Sequence, residues 1–172
     1  MKMVFCDIDG TLYRENEQIS PLNKEALTRF RDAGGQVVYC TGRHILEMNK
    51  ILEQDGYPFD YLVLNNGGAI LDSNKETLYE KHIEQSIGLD ILQWGVEANM
   101  FVHMCDGKNS YGCFNHQSFA HSDMGNIPIP DDYMTLMKES PSFQIISLNQ
   151  EDNQIDRINI IKKRIEDKYG DD

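Results

Sequence analysis

The sequence contains no apolar run that approaches the ~18 residues needed to span a bilayer. It also does not begin like a secretory signal peptide, because the short apolar segment from Lys2 to Cys6 leads directly into polar residues. These two absences predict a protein that does not associate with membranes. We expect a cytoplasmic location.

Basic residues are scarce, with 16 Lys and Arg against 28 Asp and Glu and a net charge of −12 at pH 7. A field of this sign repels nucleic acid, and no cluster of basic residues interleaved with aromatics interrupts it. We therefore expect no nucleic-acid partner. The same field opposes a small phosphorylated substrate, which must be held by local donors or by a metal ion.

Metal-binding patterns of cysteine and histidine are also absent. The cysteines form no CxxC pair, two of them lie in predicted buried strands, and four of the five histidines show no HxxxH spacing. We expect reduced core thiols, with neither a disulfide nor a zinc site. The residues concerned are Cys6, Cys40, Cys105 and Cys113, together with His82, His103, His116 and His121.

The first part of the chain begins with a strand and a helix. The strand runs from Lys2 to Cys6, and the helix begins at Pro21 with Ser20 as its N-cap. Apolar residues recur on one face of this helix, which Gly34-Gly35 ends. The predicted face consists of Leu22, Ala26, Leu27 and Phe30.

A second strand over Gln36 to Cys40, a second helix and a third strand over Tyr61 to Leu64 follow. This succession predicts an α/β fold with a Rossmann-like parallel sheet and crossover helices. Because such sheets bind ligands at the carboxyl ends of their strands, three loops are expected at one edge. These loops are Asp7 to Thr11, Thr41 to Arg43, and Asn65 to Gly68.

The pattern changes after about residue 69, where two hairpins and further helices are predicted. The first hairpin spans Ile70 to Tyr79, and the second surrounds Asp106-Gly107. We expect a core domain over 1–80 and a separate α+β domain over 81–172. Its remaining elements are helices over Gln85 to Asn99, Asp131 to Glu139 and Asn153 to Lys168, a strand over Phe143 to Leu148, and a packing residue, Trp94.

Two aspartates, Asp7 and Asp9, stand at the end of the first strand, and the turn at Gly10 can bring both toward one pocket. Like charges so close favour a divalent cation, and oxygen ligands suit Mg²⁺. One carboxylate can attack phosphorus while the other transfers a proton to or from the leaving oxygen. The Thr11 hydroxyl is placed to orient these carboxylates.

The segment from Phe5 to Leu12 resembles the first motif, hydrophobic-DxDGT-L, of the haloacid dehalogenase superfamily. The resemblance implies that Asp7 is a nucleophile that forms an aspartyl-phosphate and that Asp9 is the general acid and base. It also implies magnesium bound by the Asp7 carboxylate and the Asp9 backbone carbonyl.

Two further segments support this resemblance. Val38 to Arg43 is similar to the second motif, so Thr41, Gly42 and Arg43 are expected to hold the phosphoryl group. Leu64 to Gly68 is similar to the Asn-Gly loop of the Cof-like branch, which adds Asn66 to the phosphate site. In that branch a large α/β cap of class IIB follows the third strand, so the domain over 81–172 is expected to be a cap.

The chain departs from the family in its later motifs. The family's lysine and its Gly-Asp-x-x-x-Asp metal loop follow the cap, so we expect a chain that ends before its third and fourth motifs. Gly170-Asp171-Asp172 follows a polar helix end and is interpreted as a solvated terminus. Lys162, Lys163 and Lys168 are expected to face solvent.

These observations predict a magnesium-dependent phosphatase that acts on a small phosphorylated metabolite, either a sugar phosphate or a phosphorylated cofactor. The alternative is an impaired fragment that binds metal or phosphate without efficient turnover. His44, which follows Arg43, either contacts the substrate or, as we expect, is simply exposed at a helix start. The loop over 114–129, with His116, Phe119, His121 and Met124, is either a substrate-facing loop or an ordinary surface loop. The identity of the substrate and the formation of a homo-oligomer stay open.

Overall fold

The computed structural model describes residues 2–13, 18–55, 58–113, 139–149 and 155–170. It divides into two compact units, Met1–Lys81 and His82–Asp172. The predicted loop over 114–129 and nearly all of the helix predicted over Asp131 to Glu139 lie outside the described residues, as do Asp171 and Asp172. Within the described ranges, none of the helices combines the length and the apolar character that crossing a membrane requires.

The first unit is a five-stranded sheet with two helices. The strands β1, β2 and β3 are parallel, and β4 and β5 add to the β3 side as an antiparallel hairpin, giving the order β1-β2-β3-β4-β5. The predicted α/β class is therefore confirmed. The elements are β1 (Lys2–Asp7), α1 (Pro21–Asp32), β2 (Gly35–Cys40), α2 (Ile45–Asp55), β3 (Tyr61–Leu64), a 3-10 turn (Asn65–Gly67), β4 (Ala69–Asp72) and β5 (Thr77–Glu80).

Helix α1 begins as predicted, with the Ser20 side chain accepting a hydrogen bond from the Asn23 backbone N–H at 3.2 Å. Its predicted apolar face is wrong in part, because Leu22 is 75% exposed and Ala26 is also exposed, whereas Leu27 is buried. Leu22 lies about 140° around the helix from Leu27, since five residues turn the chain by about 500°. The two leucines therefore cannot face the same core.

The core of this unit lies between the sheet and its helices. Val37, Tyr39 and Leu62 from the strands are fully buried, and Met48 of α2 is buried in the same cluster. Successive side chains of a strand point to opposite faces, so Met3 and Phe5 of β1 lie on the other face, where Phe5 is 65% exposed. Within this unit, only one face of β1 is therefore packed.

The second unit contains two small antiparallel sheets, with strand orders β10-β7-β8 and β6-β9. The predicted helix after Gln85 and the predicted hairpin around Asp106-Gly107 are confirmed. The strand predicted over Phe143 to Leu148 is interrupted at Gln144. The elements are β6 (Ile83–Glu84), α3 (Gln85–Glu97), β7 (Phe101–Cys105), β8 (Ser110–Cys113), β9 (Ser142–Phe143), β10 (Ile145–Asn149) and α4 (Ile155–Tyr169).

Two glycines let α3 pack closely against the strands of this unit. A Cβ on Gly88 would stand 2.3 Å from the Phe143 ring, and a Cβ on Gly95 would stand 2.4 Å from a Val102 methyl. Real Cβ atoms do not approach other atoms so closely, so these positions accept only glycine unless the neighbours move. Leu92, between the two glycines, is fully buried.

Helix α4 is only partly buried. Ile161 is buried, but Ile158 is 39% exposed. Lys162, Lys163 and Lys168 are all exposed as expected, and each forms an ion pair, with Glu166, Asp167 and Asp90 of α3 respectively. The half-buried Trp94 packs against two cations of α4, with Arg164 at 6.0 Å and Lys168 at 5.8 Å from the ring centroid.

Candidate active site

The loop after β1 places two carboxylates on either side of a buried anchor. Ile8 is fully buried, while Asp7 and Asp9 are exposed. The chain then turns through Gly10, whose φ of 77° is a conformation that glycine adopts without strain. Backbone hydrogen bonds from Gly10 N–H to the Tyr13 carbonyl and from Tyr13 N–H to the Ile8 carbonyl, both 2.8 Å, close the turn. The geometry therefore presents both carboxylates at the end of β1.

Thr11 contacts the predicted nucleophile directly. Its Oγ1 donates a hydrogen bond to Oδ2 of Asp7 at 2.9 Å. A carboxylate that accepts such a bond is restrained in its rotation, so Thr11 fixes the direction in which Asp7 points.

The loop after β2 lies beside the β1 loop because the two strands are parallel neighbours, with Asp7 opposite Cys40 in the register. This second loop is tied to the end of β3 and the turn that follows it. Thr41 N–H donates to the Val63 carbonyl at 2.9 Å, and the carbonyls of Thr41 and Arg43 accept from the backbone N–H groups of Asn66 (3.2 Å) and Asn65 (3.1 Å). Backbone hydrogen bonds to β3 and to the turn after it thus hold this loop in place.

Asn65 and Asn66 both adopt left-handed backbone conformations, with φ near 53°. Asparagine tolerates this region better than most other non-glycine residues do. The turn brings the Asn66 side chain against Gly42, where an added Cβ would stand 3.0 Å from Asn66 Oδ1. The predicted phosphate-site residues in the loop after β2 and on this turn are therefore neighbours.

Arg43 makes a contact that the sequence did not predict. Its Nε and Nη2 donate to the Asp9 carboxylate, with distances of 2.9 and 3.2 Å from Nε and 2.7 Å from Nη2. The hydrogen bond from Arg43 is the main reason that the pKa of Asp9 lies below its usual value, helped by the Arg43 charge and a hydrogen bond from Thr41, while desolvation opposes the shift. The pair joins the first motif to the second. The sequence feature that could have revealed this contact is the opposite charge of Asp9 and Arg43, which follow two adjacent strands.

The prediction that His44 is exposed is wrong, because it is only 3% exposed. It precedes α2, and its carbonyl accepts from the N–H groups of Glu47 and Met48. Its Nε2 lies 3.4 Å from Glu47 Oε2. Burial lowers the pKa of His44, although the Glu47 charge opposes that shift.

The cysteines near this site are free thiols, as predicted. Burial is the main cause that raises the pKa of Cys6, and Cys40 adds to it. Burial and then the charge of Asp7 raise the pKa of Cys40. In the described part of the chain, no three His, Cys, Asp or Glu residues come together as metal ligands.

The family model for haloacid dehalogenase-like hydrolases matches residues 4–172. The chain belongs to this family. That membership confirms the resemblance drawn from the first and second motifs. The assignment of individual roles to Asp7, Asp9, Thr41, Gly42 and Asn66 stays a prediction.

Curated relatives of this haloacid dehalogenase-like chain are named phosphatases. A 5-amino-6-(5-phospho-D-ribitylamino)uracil phosphatase of Bacillus subtilis is 27% identical over 72% of this chain and 42% of its own length. An HMP-PP phosphatase of Yersinia pestis is 31% identical over 60% of this chain and 37% of its own length. The chain thus spans about two fifths of the length of these relatives.

A solved structure shares the fold. The haloacid dehalogenase-like hydrolase from Bacillus subtilis superposes with a TM-score of 0.79 at 22% identity, covering 96% of this chain and 67% of that one. At this identity, the likeness supports the fold alone.

Proposed function

We propose that the protein containing this chain is a magnesium-dependent phosphatase that hydrolyses a small phosphorylated metabolite. The observation that carries the proposal is the contact between two loops at one edge of the sheet. Asp7 ends β1 and Asp9 follows it, and Arg43, in the loop after β2 with Thr41, bonds to Asp9. Ligands of parallel sheets bind at this edge. Family membership supports the same reaction class.

The proposed reaction has two steps. An Asp7 carboxylate oxygen attacks phosphorus, the bond from phosphorus to the ester oxygen breaks, and Asp9 gives a proton to the leaving oxygen. In the second step Asp9 takes a proton from a water molecule, which attacks the aspartyl-phosphate and releases Asp7 and phosphate. The Thr41 hydroxyl and the following Gly42 N–H hold the phosphoryl oxygens, where developing charge needs donors.

The donor set at the end of β1 fits magnesium. Mg²⁺ is usually held by one or two carboxylates and completed by water and substrate phosphate oxygens, and Asp7 and Asp9 are exposed carboxylates on one turn. Asp7 and the backbone of Asp9 would hold the ion. When bound, it would neutralise charge on the phosphoryl group and on the attacking carboxylate. Thr11 would keep the Asp7 carboxylate in a fixed direction, because the Thr11 hydroxyl donates a hydrogen bond to Oδ2 of Asp7.

The substrate class follows from the relatives. Two of them are named for small phosphorylated molecules, 5-amino-6-(5-phospho-D-ribitylamino)uracil and HMP-PP. We propose a substrate of that size and charge. The unit His82–Asp172 is proposed as the cap domain that selects among such molecules.

The second candidate function is binding of phosphate or metal without efficient turnover. It is favoured by one observation, that Arg43, a cation of the second motif, is engaged by Asp9. While Arg43 bonds to Asp9, it does not stabilise the charge that develops at phosphorus. The loss of even one such donor costs on the order of 3 kcal/mol in the transition state.

Hydrolysis of p-nitrophenyl phosphate in magnesium buffer tests the proposal. Asp7→Asn should reduce kcat by about 10³-fold or more, because it removes the attacking carboxylate. Asp32→Asn is the matched control, since it removes the same charge from an exposed position at the end of α1. Undiminished hydrolysis by Asp7→Asn would reject Asp7 as the nucleophile. No hydrolysis by the unaltered chain, with phosphate still bound, would favour the second candidate.

A further inference from the structure

The guanidinium of Arg43 is bonded to a carboxylate that the proposed reaction needs. Three donor–acceptor distances of 2.7, 2.9 and 3.2 Å join its Nε and Nη2 to both oxygens of Asp9. This two-nitrogen edge is also the one that arginine uses to hold phosphate, because phosphate and carboxylate oxygens have similar spacing. A phosphate group at this edge of the sheet therefore competes with Asp9 for the same donors.

The pair lies at the surface, which makes such competition feasible. The Arg43 side chain is 36% exposed and the Asp9 side chain 52%. Exposed ion pairs contribute little to stability, because water solvates both partners when they separate. A phosphate dianion carries more charge than one carboxylate and offers more acceptor oxygens, so it is the stronger partner for a guanidinium.

The backbone of Arg43 does not have to move for its side chain to change partner. Its carbonyl accepts from Asn65 N–H at 3.1 Å, and its own N–H donates to Thr41 Oγ1 at 3.1 Å. Both bonds hold the main chain of the loop, and neither involves the Arg43 side chain. Thr41 as a whole residue is 7% exposed.

We propose that Arg43 exchanges between Asp9 and the phosphate of the substrate. Without substrate, the Arg43 guanidinium bonds to the Asp9 carboxylate; when phosphate binds, it bonds to the phosphate and releases Asp9. This exchange rests on the proposed function. It makes Asp9 an internal competitor of the substrate. It also makes the proton-transferring carboxylate available only once a phosphate group has taken its place on Arg43.

A double-mutant cycle on phosphate binding tests the exchange. The dissociation constant of inorganic phosphate is measured by calorimetry for the unaltered chain, Asp9→Asn, Arg43→Gln and the double variant. The measurement is made with and without magnesium, and thermal unfolding checks each variant. Binding, rather than turnover, is the readout.

The exchange predicts the sign of the coupling. Asp9→Asn should tighten phosphate binding about fivefold more when Arg43 is present than when it is Gln, because phosphate then no longer competes with the Asp9 carboxylate for Arg43. Fivefold corresponds to about 1 kcal/mol, the upper end for an exposed pair. Equal tightening in both backgrounds would mean simple charge repulsion. Greater tightening without Arg43 would mean a static pair that only neutralises Asp9. Either of these two results overturns the exchange while leaving the proposed phosphatase function intact.

Two further outcomes keep the test decisive. No phosphate binding by any of the four proteins would contradict both the exchange and the proposed function. If a variant does not fold, the Arg43 Nε–H resonance of the unaltered chain serves instead. It should shift when phosphate is added and stay unchanged with the same ionic strength of chloride, and an unchanged resonance at saturating phosphate rejects the exchange.

Discussion

Asp60 joins three elements of the first unit, so its replacement should weaken that unit by a calculable amount. It stands directly before β3, and its Oδ2 accepts the backbone N–H of Val37 at 2.7 Å. Its Oδ1 accepts from Arg31 Nη2 of α1 at 3.2 Å. Val37 is fully buried, so its N–H loses its acceptor if the carboxylate is removed.

The two contacts of Asp60 are expected to differ in strength. A hydrogen bond from a buried N–H to a charged acceptor contributes about 1.5–3 kcal/mol. The ion pair with Arg31 contributes about 0–1 kcal/mol, because the side chains are 31% and 22% exposed. Asp60→Ala should therefore lower the free energy of unfolding by about 1.5–4 kcal/mol. Arg31→Met should lower it by less than about 1 kcal/mol.

Hydrogen exchange at the Val37 amide is the most direct assay, because it reports on the N–H that Asp60 binds. Asp60→Ala should accelerate this exchange by more than tenfold, which is about 1.4 kcal/mol. Asp60→Asn, which retains an acceptor oxygen, should have an intermediate effect. Urea unfolding of the same proteins gives the global value. If Arg31→Met destabilises the chain as much as Asp60→Ala does, the hydrogen bond to Val37 is not the dominant contact and the reasoning is refuted.

Two other perturbations follow from buried positions. Gly88→Ala should destabilise the second unit by about 1–3 kcal/mol in urea unfolding, because its Cβ would meet the fully buried Phe143 ring; Ser86→Ala, exposed on the same helix, is the control, and stabilisation by Gly88→Ala would contradict the close packing. Because burial lowers the pKa of His44, its contribution to stability should be complete above its ordinary value near pH 6.5 and fall as the pH drops below it. His44→Gln should flatten this acid limb of the unfolding free energy, and an unchanged limb would assign it to other groups.

The order of strands and helices in the first unit was predictable because local patterns decide it. Ser20 before Pro21 marks a helix start by capping chemistry alone, and the strand Tyr61–Leu64 was predicted with its observed bounds. The fold class followed from this succession, since parallel strands need crossover connections. Asp7, Asp9 and Thr41 could be placed at one sheet edge for the same reason. None of these predictions required knowledge of a distant contact.

Other features depended on which surfaces meet in three dimensions. Leu22 fits an apolar helix pattern yet is exposed, whereas His44 fits an exposed helix start yet is buried. Apolar spacing marks several directions around a helix, and only packing decides which of them faces a core. The close approach of Gly88 to Phe143 likewise joins residues that are far apart in the chain.

The sequence by itself determined that two aspartates, a threonine and an arginine end adjacent strands of an α/β sheet. Only the tertiary structure decided that the arginine bonds to Asp9. The reason is physical: strand order sets which loops are neighbours within a few ångströms, but the partner of a long charged side chain depends on the relative positions of several acceptors. Those positions exist only after both loops have been fixed by the backbone hydrogen bonds around Gly10 and Asn66.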